Sequence, residues 1–443
     1  MIRLYEPAME RACRDLLHRS PKANYCHDPA WLDVIREAYG KESFAFVRTD
    51  PVTGEIRGYA PACHLASAAF GRQLVALPYL DYGGILADEP DTEDVLRDKL
   101  LSEAVRGKAA LEIRSRHPLV GLPVPEDGKV CMILPLREDG DEPFRKPLAA
   151  ATDVDWSPVA GDALDMGDGL DGEEPWKAEG AVWSEWDGAV PVDAATYPLK
   201  KGTSRGSGDA KSAAGRSHAK PGEAGRADAA REASGNASGA DAYWKRLDAK
   251  VRNQVRKAEK SGVTVRWGRE ERLDEFYEVF CVNMRDLGSP THAKGFFAAV
   301  LKHFPGASIG TAHRDGKCIG GLFRILWKDE LVIPWASTLK EERMHCPNNA
   351  LYWEAIRYAF EQGCARVDFG RSTKDEGTYR FKKQWLARES NLYRYQFDDK
   401  GHFLERSWHV SQGKLGWTRN VWARLPLKLA NALGPMVRGS ISA

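Results

Sequence analysis

Residues 307–327 read ASIGTAHRDGKCIGGLFRILW, two apolar runs on either side of Asp315-Gly316-Lys317. An Asp-Gly step between such runs is a hairpin signal, because a tight turn needs residues that tolerate positive φ. Strands are therefore expected over Ala307 to His313 and Cys318 to Trp327. Downstream, Leu331 to Ala336 reads as a strand, Asn349 to Gln362 as a helix stopped by Gly363, and Ala365 to Phe369 as another strand. Tyr379 to Leu386 and Asn391 to Phe397 close the unit. Upstream, Tyr243 to Lys260 sets Leu247, Val251, Val255 and Ala258 on one helical face, before strand Val263 to Trp267 and helices Leu273 to Met284 and Gly295 to His303.

The beginning of the chain repeats this order. Pro29 to Tyr39 is an amphipathic helix entered through Asp28 and ended by Gly40. Ser43 to Thr49 and Ile56 to Leu65 flank the turn Asp50-Pro51-Val52-Thr53-Gly54, and strand Gln73 to Leu77, helix Thr92 to Arg106 and strand Ala110 to Arg114 follow. Two similar α/β domains in tandem are implied, each a mixed sheet flanked by helices, with ligands in a crevice where sheet strands splay or the domains meet.

Residues 1–140 and 243–400 form these two domains, and the composition between them is different. Ala151 to Val190 holds eleven acidic residues and one base, Lys177; Lys201 to Ala240 holds 25 Gly, Ala or Ser and no Val, Ile, Leu, Met, Phe, Tyr or Trp. Such a stretch buries too little apolar surface to offset ordering entropy, so 141–242 is expected to be a disordered insert. Trp156, Trp176, Trp183 and Trp186 are either a docking motif or incidental. The whole chain carries 64 Lys+Arg against 63 Asp+Glu, a net charge of +1, which argues against a partner of duplex DNA. No run suits a membrane span or a signal peptide, which points to the cytoplasm. The eight cysteines are scattered without metal-ligand spacing, so no metal site is expected. Residues 401–443 form a tail with six bases and no acids beyond Glu405, interleaved with Trp and Leu; it either touches an anionic membrane or docks back on the domains.

Polar and aromatic residues crowd the ends of elements between Pro334 and Lys383. They comprise Pro334-Trp335-Ala336-Ser337, Cys346-Pro347-Asn348-Asn349 with Tyr352, Val367-Asp368-Phe369-Gly370-Arg371-Ser372, and Gly377-Thr378-Tyr379-Arg380-Phe381-Lys382-Lys383. Polar groups at strand and helix ends whose interiors stay apolar point to a site rather than to a core. With His27-Asp28-Pro29-Ala30-Trp31 and Leu77 to Gly84, these motifs resemble the FemAB-related proteins of the GNAT-like N-acyltransferase superfamily. The likeness is nearest to the branch associated with exosortase/PEP-CTERM exopolysaccharide loci. It covers about residues 1 to 135 and 243 to 397. The resemblance implies tandem GNAT-like domains. It also implies transfer of an acyl or aminoacyl group to an amine, since better-characterised relatives move an amino acid from aminoacyl-tRNA to a peptidoglycan precursor.

Aminolysis of an ester or thioester requires a neutral amine, stabilisation of the developing oxyanion and a route for the proton. By the resemblance, Lys382 is the cation, matching with Phe381 the Phe-Lys pair that lines the relatives' acyl-transfer channel; the plain alternative is a solvated strand face. Asp368 either accepts a proton, holds Arg371 or caps the next turn. Arg371 binds phosphate or carboxylate or makes a structural ion pair. Trp335, Ser337, Asn348, Tyr352, Phe381 and Ser372 complete a substrate-binding set, with Tyr352 equally a core aromatic. Arg252 and Arg256, four apart on a basic helix, suit phosphate as well as a solvated face. No Gly-rich pyrophosphate loop precedes Asn348-Asn349, and Gly320-Gly321 suits close packing, which favours a donor held otherwise than in acetyl-CoA enzymes. No bound cofactor is expected, only an acyl donor as co-substrate, aminoacyl-tRNA or acyl-CoA. The acceptor is an envelope or exopolysaccharide precursor. An idle glycan-binding scaffold is the alternative function.

Overall fold

The computed structural model describes residues 1–67, 71–125, 129–137, 239–404 and 419–442. The insert up to residue 238 lies outside the described residues, as do Trp408 and Trp417 of the tail.

Two seven-stranded sheets are flanked by helices. The first contains β1 (Ile2–Leu4), β2 (Ser43–Thr49), β3 (Ile56–Ser67), β4 (Gly71–Val75), β5 (Leu86–Ala87) and β6 (Ala110–Ser115), with α1 (Glu10–Arg19), α2 (Ala30–Tyr39) and α3 (Pro90–Arg106) around it. The second contains β7 (Lys129–Pro135), β8 (Thr264–Gly268), β9 (Ala307–Arg314), β10 (Lys317–Trp327), β11 (Glu330–Thr338), β12 (Arg366–Thr373) and β13 (Arg388–Asn391). Its helices are α4 (Ala249–Lys260), α5 (Leu273–Asp286), α6 (Lys294–His303), α7 (Pro347–Glu361) and α8 (Gly377–Lys383). Strand β14 (Tyr393–Phe397) and helix α9 (Leu427–Arg438) follow.

The strand orders are β1-β2-β3-β4-β6-β14, with β5 on β3, and β13-β7-β12-β11-β10-β9-β8. Each sheet thus takes one strand from the other half of the chain: β14 pairs with β6, and β7 lies between β12 and β13. This exchange ties the halves together by backbone hydrogen bonds as well as by packing.

Local chemistry explains the elements. At the β9–β10 turn Asp315 and Gly316 have φ of 51° and 78°, the pair of positive values a two-residue hairpin requires. Asp28 Oδ1 accepts from Ala30 N at 3.1 Å at the start of α2, and Gly40 at φ 60° ends it. The helix expected from Tyr243 to Lys260 is broken in two. Residues 239–246 are helical, and Asp248 then accepts from Lys250 N at 2.6 Å and starts α4 afresh, because the carboxylate competes for the amide as an N-cap. Lys382 and Lys383 lie on helix α8 and not on a strand, and the pair is not a solvated face: Lys382 is buried and Lys383 exposed. Between the halves, Trp31 of α2 lies 4.6 Å from Phe304 in ring centroids, and Tyr39 bonds His292 at 2.6 Å.

Candidate active site

Strands β11 and β12 run parallel at the centre of the second sheet and pair at Glu330–Arg366, Leu331–Val367 and Val332–Asp368. The ladder stops there, although β11 continues to Thr338 and β12 to Thr373. Extending the register sets Pro334 against Gly370. Proline has no N–H to donate, and Gly370 has φ 70° within a bulge between Asp368 and Arg371. Each strand keeps its outer partner, β11 with β10 and β12 with β7.

Backbone groups released at the bulge must find other partners. Gly370 N donates to Asp368 Oδ1 at 2.7 Å, and Arg371 N donates to Asp81 Oδ2 at 2.9 Å. Lys382 Nζ donates to Gly370 O at 3.0 Å and to Arg371 O at 2.7 Å. Three charged side chains from three separate elements therefore converge on one dipeptide where the parallel ladder ends. All three are at most 2% exposed.

Asp81 comes from the first half, on a loop over residues 77–84 that passes through strained conformations. Leu77 and Tyr79 have φ of 57° and 72°, a region non-glycine residues rarely adopt. Gly84 is required there, since a Cβ would lie 2.5 Å from Arg114 O. The loop also delivers Tyr82, whose hydroxyl donates to Asp368 Oδ2 at 3.2 Å. A further Cβ, at Gly370, would lie 3.1 Å from Asp81 Oδ2, so loop and bulge are fitted to each other.

Beneath the bulge, Arg116 bonds both Asp368 and, at 3.0 Å, Glu330, and stacks on Tyr82 at 4.2 Å. Arg366 also pairs with Glu330 at 3.0 Å. Burial raises Glu330, but Arg116 and Arg366 override it and hold the carboxyl at about 2. Asp368 is raised, because burial outweighs the attraction of the shared Arg116 and Glu330 repels a second negative charge. Burial pushes Lys382 down to about 7 against the pull of Asp81, Cys131 and Asp368. A lysine pushed down to about 7 and a carboxyl raised above its ordinary value thus stand on either side of Gly370, the directions in which acid–base groups are shifted.

The expected site residues separate into groups. Lys382, Asp368 and Arg371 meet at the bulge; Arg371 Nε is 3.2 Å from Asp81 Oδ1. The next residue, Ser372, is buried, and its hydroxyl has no hydrogen-bond partner among the described residues. Asp368 also caps the turn, as its bond to Gly370 N shows. Tyr352 is a core aromatic, 4.9 Å from Phe381 and 5.4 Å from Phe369 in ring centroids. Trp335 is wholly buried among Phe296, Phe297 and Phe323, while Ser337 accepts from Asn283 Nδ2 at 3.1 Å. Asn348 lies in the first turn of α7. Arg252 and Arg256 sit on α4, where Arg256 is exposed and bonds Asn253 at 3.3 Å, and α4 reaches α7 through Gln254 and Asn349 at 3.2 Å. Gly320 and Gly321 are explained by packing, since Cβ atoms there would lie 2.9 Å from Thr338 Cγ2 and 2.7 Å from Phe276 Cδ2. Among the described residues no cluster of His, Cys, Asp or Glu could hold a metal ion.

Sequence reasoning gave no role to Asp81, Tyr82, Arg116 or Glu330. Asp81 and Tyr82 stood inside the quoted Leu77 to Gly84 motif, so a signal existed. Arg116 meets Asp368 from 252 residues away and has no local signature.

Residues 245–383 match the acetyltransferase (GNAT) domain family. The second unit is GNAT-like. Among solved structures, the chain is similar to FemX at 12% identity and a TM-score of 0.53, over 88% of this chain and 96% of that one, which is a likeness of fold. It also matches L-PGS from Bacillus licheniformis (10% identity, TM-score 0.45, covering 95% and 98%) and a tandem GNAT protein from the clavulanic acid biosynthesis pathway (10%, 0.43, covering 90% and 99%). No curated protein matches the chain. The family match thus lies within the second unit, and the likeness to FemX over most of the chain is one of fold.

Proposed function

We propose that the protein is an N-acyltransferase that moves an acyl or aminoacyl group from a thioester or ester donor, acyl-CoA or aminoacyl-tRNA, to an amine of a cell-envelope or exopolysaccharide precursor. The observation that carries this reading is the convergence of Lys382, Asp368 and Asp81 on Gly370–Arg371, where the β11–β12 ladder ends inside the segment matching the GNAT family.

In this reading the acyl carbon lies beside that seam. The amine nitrogen attacks it, a C–N bond forms, and the C–O or C–S bond to the carrier breaks. Asp368 takes the proton lost by the amine, and Lys382, protonated below about 7, returns one to the leaving oxygen or sulfur. Arg371, Ser372 and Phe381 line the approach, with Trp335, Ser337, Asn348 and Tyr352 supporting it, and Arg252 and Arg256 meet donor phosphate. An exopolysaccharide acceptor of the exosortase/PEP-CTERM type is the finer form of the proposal and rests on the sequence resemblance.

The test is direct. The purified chain is incubated with labelled aminoacyl-tRNA or acyl-CoA and an extract of envelope precursors. Label is expected in a product that resists hydroxylamine, as an amide does. Failure of every donor to label any amine supports the scaffold alternative.

A further inference from the structure

Helix α9 has apolar residues on two faces, and among the described residues only one of them is covered. Ala430, Gly434 and Arg438, spaced by four, are buried. A Cβ on Gly434 would lie 2.7 Å from Thr291 Cγ2, so the helix rests flush on the domain along this line. The other face carries Leu429, Leu433, Met436 and Val437, exposed by 44%, 40%, 71% and 38%. Their spacing of four, three and one places them in one stripe.

The helix cannot roll this stripe inward. Arg438 Nε bonds His292 Nε2 at 3.1 Å, Tyr79 donates to Gly439 O at 3.0 Å, and Arg114 donates to Ser442 O. Charge then decides what meets the stripe. From residue 406 onward the sequence has six bases and no acid, and Arg424 and Lys428 are exposed just before and beside the stripe. Large apolar side chains in a row, on a segment whose own charges are all basic, suit a surface whose outer layer is anionic and whose interior is apolar. No helix among the described residues is long and apolar enough to cross a membrane, so the fit is to a surface.

We propose that α9 seats the protein on an anionic lipid bilayer, with Leu429, Leu433, Met436 and Val437 in the acyl boundary and Arg424 and Lys428 among the headgroups. The proposal does not depend on the transfer chemistry, because its readout is binding.

The full chain is sedimented with vesicles of phosphatidylcholine alone or with about one third phosphatidylglycerol. It is expected to pellet with the anionic vesicles and to be released by high salt. Leu433→Ser with Met436→Ser should weaken partitioning about tenfold, and Arg424→Glu with Lys428→Glu should abolish the preference for phosphatidylglycerol. Unchanged thermal unfolding midpoints show that these exposed positions leave the fold intact. The proposal is overturned if the wild-type chain stays in the supernatant, or if the serine pair binds as wild type does. It is equally overturned if the wild-type chain is a dimer that the serine pair converts to monomer, since a second copy would then cover the stripe.

Discussion

The two sheets contain the same device and use it differently. In the first, β4 and β6 run parallel and pair at three positions, ending at Val75–Glu112. In the second, β11 and β12 do the same, ending at Val332–Asp368. A carboxylate stands at the last pair in both. Glu112 is bound by Arg114 at 2.7 Å, Arg394 at 3.3 Å and Gln396 at 2.9 Å; burial raises it, but Arg394, Arg114 and Gln396 hold it at about 2. The seam beside it is filled by Arg114, which bonds Leu80 O at 2.7 Å and Ser442 O. Asp368 instead is raised, and its seam holds a lysine close to neutrality. Two guanidiniums on one carboxylate make a lock. One guanidinium shared between two carboxylates, with a depressed lysine nearby, leaves the carboxyl raised instead of lowered, the difference on which the proposed proton transfers rest.

That contrast can be broken in four ways. The largest effect is expected at the second seam: Asp368→Asn or Lys382→Met should lower amine acylation about a hundredfold or more in single-turnover assays, without loss of the folded state. Equal rates in both variants and wild type would remove the chemistry from this seam. At the first seam, Glu112→Gln leaves buried guanidinium charge uncompensated and should cost about 3 kcal/mol in urea unfolding, with the folded fraction still transferring at near wild-type rate. Lost transfer at undiminished stability would make the first unit part of the chemistry. Gly370→Ala should cost about 1–2 kcal/mol, from its left-handed conformation and the approach of Asp81, and an unchanged midpoint would deny the fit of loop to bulge.

The last effect is a slope. Lysine ordinarily keeps its proton to 10.5 but Lys382 only to about 7, so between these values the unfolded chain carries a proton that the folded one lacks. Stability should therefore rise with pH across this window, by up to about 1.4 kcal/mol per pH unit, whereas below about 7 the cost of burying the charge is fully present. Unfolding curves between pH 7 and 8.5 should show this rise in wild type and lose it in Lys382→Met. Parallel curves would place the lysine's proton affinity at its ordinary value.

The parts of this arrangement legible in the sequence are those made by neighbours. Asp28 and Gly40 bound α2, and Asp315-Gly316 turns β9 into β10, because capping and turn chemistry act within a few residues. The seam was half visible. Lys382, Asp368 and Arg371 stood out as polar groups at element ends, but their partners did not, since Asp81 meets Arg371 across 290 residues and Tyr82 meets Asp368 across 286. The exchange of β7 and β14 was hidden for the same reason: an apolar run such as Lys129–Pro135 carries no mark of which sheet it will join. Tyr352 and Trp335 show the converse, aromatic residues inside a conspicuous motif that the fold spends on its core.

The most direct measurement is to find where the acyl group lies. An acyl donor bearing a photoreactive group at its acyl end, irradiated on the full chain and mapped by mass spectrometry, should label peptides holding Glu330–Thr338 and Arg366–Thr373, and labelling should fall when unmodified donor competes. Label on Gly71–Val75 and Ala110–Ser115, or on neither pair, would contradict the assignment of transfer to the second seam.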